Sequence, residues 1–593
     1  MSIFSVLRHR KNGGAGKMSA AIANYERWRK FKALDPELRS ELEKIRNDGG
    51  EIEERFGSSL EFGTAGLRGT IAAGTNRMNI YTVRKASLGL ARFVIKNAKR
   101  PWSIAIAYDN RRKSRIFAEA AAGVFASNGI KALVFDEIQP TPVLSYSVLH
   151  HRADAGVMIT ASHNPKEYNG YKVYWKHGGQ VVDELALAIT KELDAIEDEL
   201  GIEGMSVRDA EASGLLEWIG HKTVDSYLEN VLGLITERAA IRNHAKLPMV
   251  YTPLYGTGAR LVPEVLHRSG FEGVRYVEDQ MIPDTEFGNV KRPNPEEPEA
   301  FTEGLALAKK CGANLVMATD PDADRLGAMS KENDGSFRLI TGNQMGALLI
   351  DHLLAKPGLN EARTRGSVLI KTIVTSDLGA SVARKKGIEV VEVLTGFKYI
   401  GELIDRYAAT GEKKFFFGYE ESYGYLAGGF VRDKDAVQIA LLVAEMAATL
   451  ADRGLTLGSR LDELYEEHGY FVDGIINVSL EGIEGQKRIR EIMSSLRAEA
   501  PYVVGVNRII STADYQEGMI RFTDGRDPER TGLPLSNVLK YVLEDGSWIC
   551  IRPSGTEPKL KIYVSASAKD RTAAEEKADY LKRETQRMVM ARG

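Results

Sequence analysis

The sequence predicts an α/β protein: several α/β units with mixed, mostly parallel sheets, closed by a C-terminal α+β domain. Three observations lead there. At 593 residues the chain is too long for one core and should divide into roughly three to five domains. Short apolar runs alternate with segments of helical period over most of the length, the rhythm of parallel strands joined by crossover helices. From about Tyr470 that rhythm breaks and strands mix with helices less regularly.

In chain order, residues 1–19 read as a flexible leader containing Asn12-Gly-Gly-Ala-Gly16, with too short an apolar stretch for a signal peptide or a membrane span. The spacing of Tyr25, Trp28, Phe31, Leu34, Leu38, Leu42 and Ile45 predicts helices that lay one face on the body. In Leu60-Glu-Phe-Gly-Thr-Ala-Gly-Leu-Arg-Gly69 the glycines let backbone approach an anion. Strands at 103–108, 131–135 and 156–160 with a helix at 115–128 make a first unit. A second has strands at 248–251, 273–276 and 313–318 with helices at 258–269 and 298–310. The third starts near 345–355, with strands at 367–372, 389–393 and 414–417 and a helix at 398–409. Strands at 474–480, 519–523 and 548–551, with helices at 485–497 and 573–590, form the tail.

Charge and cysteine usage narrow the function. With 79 basic and 81 acidic residues there is no global field to attract nucleic acid or an anionic membrane, so any anion site is local. Cys311 and Cys550 lie far apart in apolar runs, which predicts two buried structural thiols and a reducing, cytoplasmic compartment.

Four clusters carry chemistry, and each falls where a strand ends, the place for ligand groups in such sheets. Met158-Ile-Thr-Ala-Ser-His-Asn-Pro165 presents Ser162 in a tight turn, as a phosphorylatable nucleophile or as a plain exposed turn. Adjacent side chains of an extended segment diverge, so a Ser162–His163 pair of the protease kind is not expected. Asp320, Asp322 and Asp324 alternate, so an extended stretch would turn all three carboxylates to one side, where they repel without a divalent cation. A calcium loop would need Gly and Glu where Arg325 and Lys331 stand, which leaves Mg²⁺ with Arg325 beside it for a phosphate. Gly418-Tyr-Glu-Glu-Ser-Tyr-Gly424 directs Glu420 and Ser422 together toward hydroxyl groups and Glu421 elsewhere, with Lys434 within reach as an acid or base. Arg552-Pro-Ser-Gly-Thr556 combines a planar fork, two hydroxyls and mobile backbone, the inventory for gripping a phosphate.

With these four stations in order, the chain from about Tyr25 resembles the α-D-phosphohexomutase superfamily. Phe62-Gly-Thr-Ala-Gly-Leu-Arg68, Gly74-Thr-Asn-Arg-Met-Asn79 and Thr395-Gly-Phe-Lys-Tyr-Ile-Gly401 are similar to its phosphoglucomutase and phosphopentomutase branch. The resemblance implies three similar α/β domains and a C-terminal α+β domain around a central cleft. The expected boundaries are 20–235 for the N-terminal helices and phosphoserine domain, 236–342 for the metal-binding domain, 343–468 for the sugar-binding domain and 469–593 for the phosphate-binding domain. It further implies Ser162 as phosphoserine and Mg²⁺ on Asp320, Asp322, Asp324 and a Ser162 oxygen. Arg68 and Arg325 would brace that phosphate, Glu420 and Ser422 would meet sugar hydroxyls, and Thr395, Gly396 and Phe397 would orient the ring. Arg552, Ser554, Gly555 and Thr556 would hold the second phosphate, with His163, Lys172 and Lys434 as proton-transfer candidates. The implied reaction interconverts α-D-glucose 1-phosphate and glucose 6-phosphate through glucose 1,6-bisphosphate. Alternatives are a phosphopentomutase, a glucose-1,6-bisphosphate synthase and a catalytically silent sugar-phosphate-binding protein. The implied partners are small-molecule sugar phosphates, with neither nucleic acid nor membrane, and the implied state is monomer or homodimer. Tyr419, absent from the Gly-Glu-Glu-Ser form of muscle-type relatives, leaves sugar choice open.

Overall fold

The computed structural model describes residues 14–63, 66–355, 364–480, 482–554 and 559–592, with 14–19, 482 and 483 as backbone only. Helix Gly14–Lys30 begins inside the stretch expected to be a leader. Two short helices follow, Pro36–Lys44 and Gly49–Phe56, each capped by an aspartate that accepts first-turn N–H groups. Their apolar faces close on Trp28, which is buried, meets Phe56 and Tyr81 edge-on at 5.7 and 5.3 Å between ring centroids, and donates its indole N–H to Glu199 at 2.7 Å. The apolar spacing of this region is thereby explained.

The first sheet runs Gly66–Thr70, Tyr168–Trp175, Ala155–Ile159, Ser103–Tyr108, Lys131–Phe135, Leu216–Ile219 in spatial order. The last four strands are parallel, and the first two join antiparallel. Its central strands are buried on both faces because helices cover both, which is why they read as continuous apolar runs. The second sheet is mixed: Met249–Thr252, Val274–Tyr276 and Leu315–Thr319 are parallel, and Leu326–Lys331 and Phe337–Ile340 return antiparallel. In the third, Glu389–Val393, Ser367–Thr372 and Lys414–Glu420 are parallel and Gly424–Leu426 turns back. The C-terminal sheet is antiparallel throughout its described pairings, with long strands Tyr470–Ser479 and Lys559–Ala568 side by side.

One apolar core runs through the first three units, whereas the C-terminal domain has its own and joins the shared core through a small face that includes Trp548, Cys550 and Tyr563. Helix Ala436–Ala451 is buried at almost every position and serves as the strut between units. Its cap, Asp435, accepts the Tyr227 hydroxyl from the first unit at 2.8 Å. Cys550 is buried as expected, but Cys311 is only half-buried, since it closes the helix Thr302–Cys311 at the surface. No helix among the described residues is long and apolar enough to cross a membrane.

Candidate active site

Strand Ala155–Ile159 delivers Ser162 to the aspartate loop of the second unit. The Thr160 hydroxyl accepts the Ser162 N–H at 2.8 Å, and Ser162 takes a left-handed backbone, φ 53°. That turn has a consequence the extended reading missed. Instead of diverging, Ser162 Oγ lies 3.2 Å from His163 Nδ1, while it donates to Asp320 Oδ2 at 2.8 Å. Burial, followed by the positive charges of Arg325 and Arg68, holds His163 well below its ordinary range, so the imidazole is neutral at neutral pH.

The three aspartates converge by a turn rather than by strand alternation. Ala323 is left-handed, φ 49°, and Asp320 Oδ1 accepts the N–H groups of Asp324 and Arg325 at 3.1 and 3.0 Å. One oxygen from each of Asp320, Asp322 and Asp324 then lies within 4.8 Å of the others, all buried. Asp322 Oδ1 and Asp324 Oδ1 are buried without a hydrogen-bond partner. Burial disfavours all three charges. Lys172 outweighs it at Asp322, and Lys434 and Lys172 do so at Asp324, whereas burial together with the charges of Asp322 and Asp324 pushes Asp320 well above the carboxylate range. Three buried carboxylates with two orphaned oxygens are a donor set for a hard divalent cation.

Two ammonium groups flank this cluster. Lys172, on Tyr168–Trp175, reaches Asp322 at 2.8 Å and Asp324 at 3.2 Å. Lys434 approaches Asp324 at 3.2 Å and Asp433 at 3.1 Å, and Asp433 is itself held by the Tyr174 hydroxyl at 2.6 Å. Both lysines keep their protons, because the surrounding carboxylates outweigh burial. Arg325 donates to Glu296, and Arg68 donates to Asn164 at 2.9 Å beside Ser162.

The third unit meets the aspartate loop directly: Arg325 bridges to Gly424, and Leu326 N–H donates to the Tyr423 carbonyl at 3.2 Å. At Gly424 a Cβ would stand 2.2 Å from the Lys434 stem, so a larger residue there would displace Lys434. Glu420 is buried at the end of its strand, and burial pushes its carboxyl up to about 7 against the pull of Lys434. Alternation fails here too, because 421–423 form a turn: Glu421 accepts from Thr372 at 3.3 Å, and Ser422 stays half-exposed. Tyr419 is buried, its ring packed against Gly346 and Gly379 in the core. The Phe397 ring lies 5.6 Å from Lys434 Nζ, Gly396 has φ 120°, and Thr395 Oγ1 is buried with no partner. Arg552 sits within strand Trp548–Pro553 rather than after it, half-buried, and its charge acts on Glu421. Ser554 N–H donates to the Lys559 carbonyl at 2.7 Å, while Gly555 and Thr556 lie outside the described residues.

Several participants escaped the sequence reading. Thr141 donates to Asp322 Oδ2 at 2.8 Å, Glu296 holds Arg325, and Arg111 lies under the serine loop. Arg111 alone had a signal, since Asp109-Asn-Arg-Arg112 follows a strand parallel to the one that carries Ser162.

Family models of the phosphoglucomutase/phosphomannomutase α/β/α domains I, II and III match residues 59–200, 225–335 and 341–468, and the model of the C-terminal domain matches 499–582. A phosphoglucomutase of Staphylococcus saprophyticus is 38% identical over 510 residues, 86% of this chain and 91% of that one. One from Staphylococcus aureus is 37% identical over 524 residues, 88% and 92% of the respective chains. Among solved structures, a phosphoglucomutase/phosphomannomutase family protein of Burkholderia thailandensis superposes with TM-score 0.64 at 19% identity, covering 90% of this chain and 98% of its own. Parafusin, a phosphoglucomutase of Paramecium, in its open form, gives 0.65 at 17% identity, with 89% and 95% covered. These last two speak for the fold alone. The chain belongs to the α-D-phosphohexomutase superfamily, in its phosphoglucomutase/phosphomannomutase family.

Proposed function

We propose that this isomerase is a phosphoglucomutase, interconverting α-D-glucose 1-phosphate and glucose 6-phosphate through phosphorylated Ser162. The observation that carries the reading is Ser162 Oγ, 2.8 Å from Asp320 at the mouth of a buried carboxylate triad. Relatives named phosphoglucomutase, 37–38% identical over most of the chain, favour glucose. Tyr419, turned into the core, gives no ground for a different sugar.

The phosphoryl group on Ser162 passes to the free 6-hydroxyl oxygen of glucose 1-phosphate. The Oγ–P bond breaks, an O6–P bond forms, the hydroxyl proton leaves to a base and Ser162 Oγ takes up a proton. Glucose 1,6-bisphosphate then turns round, Ser162 Oγ gives up that proton, the O1–P bond breaks as an Oγ–P bond forms, and O1 takes up a proton as glucose 6-phosphate is released. Asp320, Asp322 and Asp324, with a Ser162 oxygen, would hold Mg²⁺, which supplies charge neutralisation at the phosphoryl group in transfer. Arg68 and Arg325 brace that group, with Glu296 keeping Arg325 aimed at the triad. Neutral His163 is suited to accept a proton, and charged Lys172 and Lys434 are suited to donate one. Glu420 and Ser422 take sugar hydroxyls, the Thr395-Gly-Phe397 loop orients the ring, and Arg552 with Ser554, Gly555 and Thr556 grips the phosphate not in transfer. The partners are small-molecule sugar phosphates, and the proposed site of action is the cytoplasm.

The test is the rate of isomerisation of α-glucose 1-phosphate beside that of ribose 1-phosphate. A faster glucose rate supports the reading, a faster ribose rate makes the enzyme a phosphopentomutase on the same residues, and silence on both favours a bisphosphate synthase or a sugar-phosphate-binding protein.

A further inference from the structure

Beneath the serine loop lies a guanidinium with no exposed surface. Strands Ser103–Tyr108 and Ala155–Ile159 are parallel neighbours, so the loops that leave them, 109–113 and 160–167, emerge side by side. Arg111 crosses from the first into the hollow of the second. Its Nη1 donates to the carbonyls of Pro165 and Tyr168 at 2.9 and 3.1 Å, and its Nη2 to those of Ser162 and Asn164 at 2.5 and 2.6 Å. Nε faces Asp109 Oδ2 at 3.2 Å, with both side chains fully buried. The Phe287 ring of the second unit covers the guanidinium at 4.9 Å. Next to it, Asn110 donates to the carbonyls of Tyr255 and Asp284, also of the second unit, at 3.0 and 2.8 Å.

We infer that Arg111 is a positioning residue for phosphoryl transfer, the clamp that fixes the Ser162 loop in register with the aspartate triad. This rests on the reading of Ser162 as the residue that carries the phosphoryl group. Arg111 does not touch Ser162 Oγ and acts through the backbone. Ser162 holds a left-handed φ that a residue with a side chain adopts only when its surroundings impose it. Four carbonyls gathered on one planar fork impose it here. Only arginine offers donors spread over a rigid plane, and lysine would bring the same charge on a single nitrogen. The contacts to Phe287, Tyr255 and Asp284 tie the clamp to the unit that bears Asp320, so the 2.8 Å from Ser162 to Asp320 depends on it. A role confined to stability would lower the folded fraction without changing turnover per folded site.

The experiment compares wild type, Arg111→Lys and Asp109→Asn in the full chain. It measures kcat and KM for glucose 1-phosphate per folded molecule, and phosphoryl uptake at Ser162 from glucose 1,6-bisphosphate by intact mass. Arg111→Lys should lose about 10²-fold in kcat with KM within about threefold, the cost of misplacing a reacting atom by roughly 1 Å. Asp109→Asn keeps the fork but removes the carboxylate charge beside Nε, so a loss of about tenfold in kcat at unchanged KM is expected, and it serves where Arg111→Lys does not fold. Wild-type kcat per folded site in either variant, or a loss confined to KM, overturns the assignment. Wild-type protein that takes up no phosphoryl group at Ser162 overturns the underlying reading, and the clamp with it.

Discussion

Lys172 Nζ stands 2.8 Å from Asp322 Oδ2, an ammonium from the first sheet neutralising a carboxylate in the loop of the second. The same nitrogen lies 3.2 Å from Asp324, so one cation serves two members of the triad and clasps two units together. Burial opposes the charge on either carboxylate, and the pairing is what keeps Asp322 ionised.

Lys172→Gln should therefore strand buried negative charge. The expected destabilisation is about 3–5 kcal/mol, the usual result of breaking a buried pair by removing one partner. Thermal melts with and without Mg²⁺ check it. The variant should melt lower without the cation and recover more than wild type when the cation is added.

Arg552→Ala should act on binding. In the proposed role the lost contacts are charge-assisted hydrogen bonds worth about 1.5–3 kcal/mol each, so KM should rise by about ten- to 150-fold for one such bond. A kcat loss at unchanged KM would place Arg552 in the chemical step.

Glu420 gives a pH signature. Burial pushes its carboxyl up to about 7, and as an acceptor of sugar hydroxyls it works ionised. Binding should therefore strengthen as pH rises through about 7 and level off above it. Glu420→Gln should flatten that step in the KM profile, and an unchanged step would assign it to another group.

Acid should loosen the C-terminal domain. Burial works against the Glu392 charge, but Lys371 and Lys540 together hold its carboxyl down to about 2 from an ordinary 4.5. Lys540 comes from the C-terminal sheet and also donates to the Ile373 carbonyl at 2.8 Å. A lowered carboxyl contributes stability in full above 4.5 and loses it as pH falls toward 2. Melting temperatures across that window should fall more steeply for wild type than for Glu392→Gln.

The strands 103–108, 131–135 and 367–372 were legible because burial on both faces leaves an apolar run whatever the tertiary context, and they lie where the sequence reading put them. The clusters were legible because their residues are adjacent in sequence. What escaped depends on backbone angles and on partners far along the chain. The left-handed angles at Ser162 and Ala323 decide which way neighbouring side chains point, and neither serine nor alanine announces one. The sequence puts Lys434 within reach as an acid or base, but its partner Asp324, more than a hundred residues upstream, shows only once the chain is folded. The bridge from Arg325 to Gly424 joins two units through backbone, which leaves no mark in side-chain pattern.

The central claim is that Ser162 carries the phosphoryl group. The measurement that tests it most directly is glucose 6-phosphate formation from α-glucose 1-phosphate, with Mg²⁺ and a trace of glucose 1,6-bisphosphate, by wild type and by Ser162→Ala side by side. Turnover by wild type and none by a folded Ser162→Ala protein is the predicted result, and equal turnover by the two would contradict it.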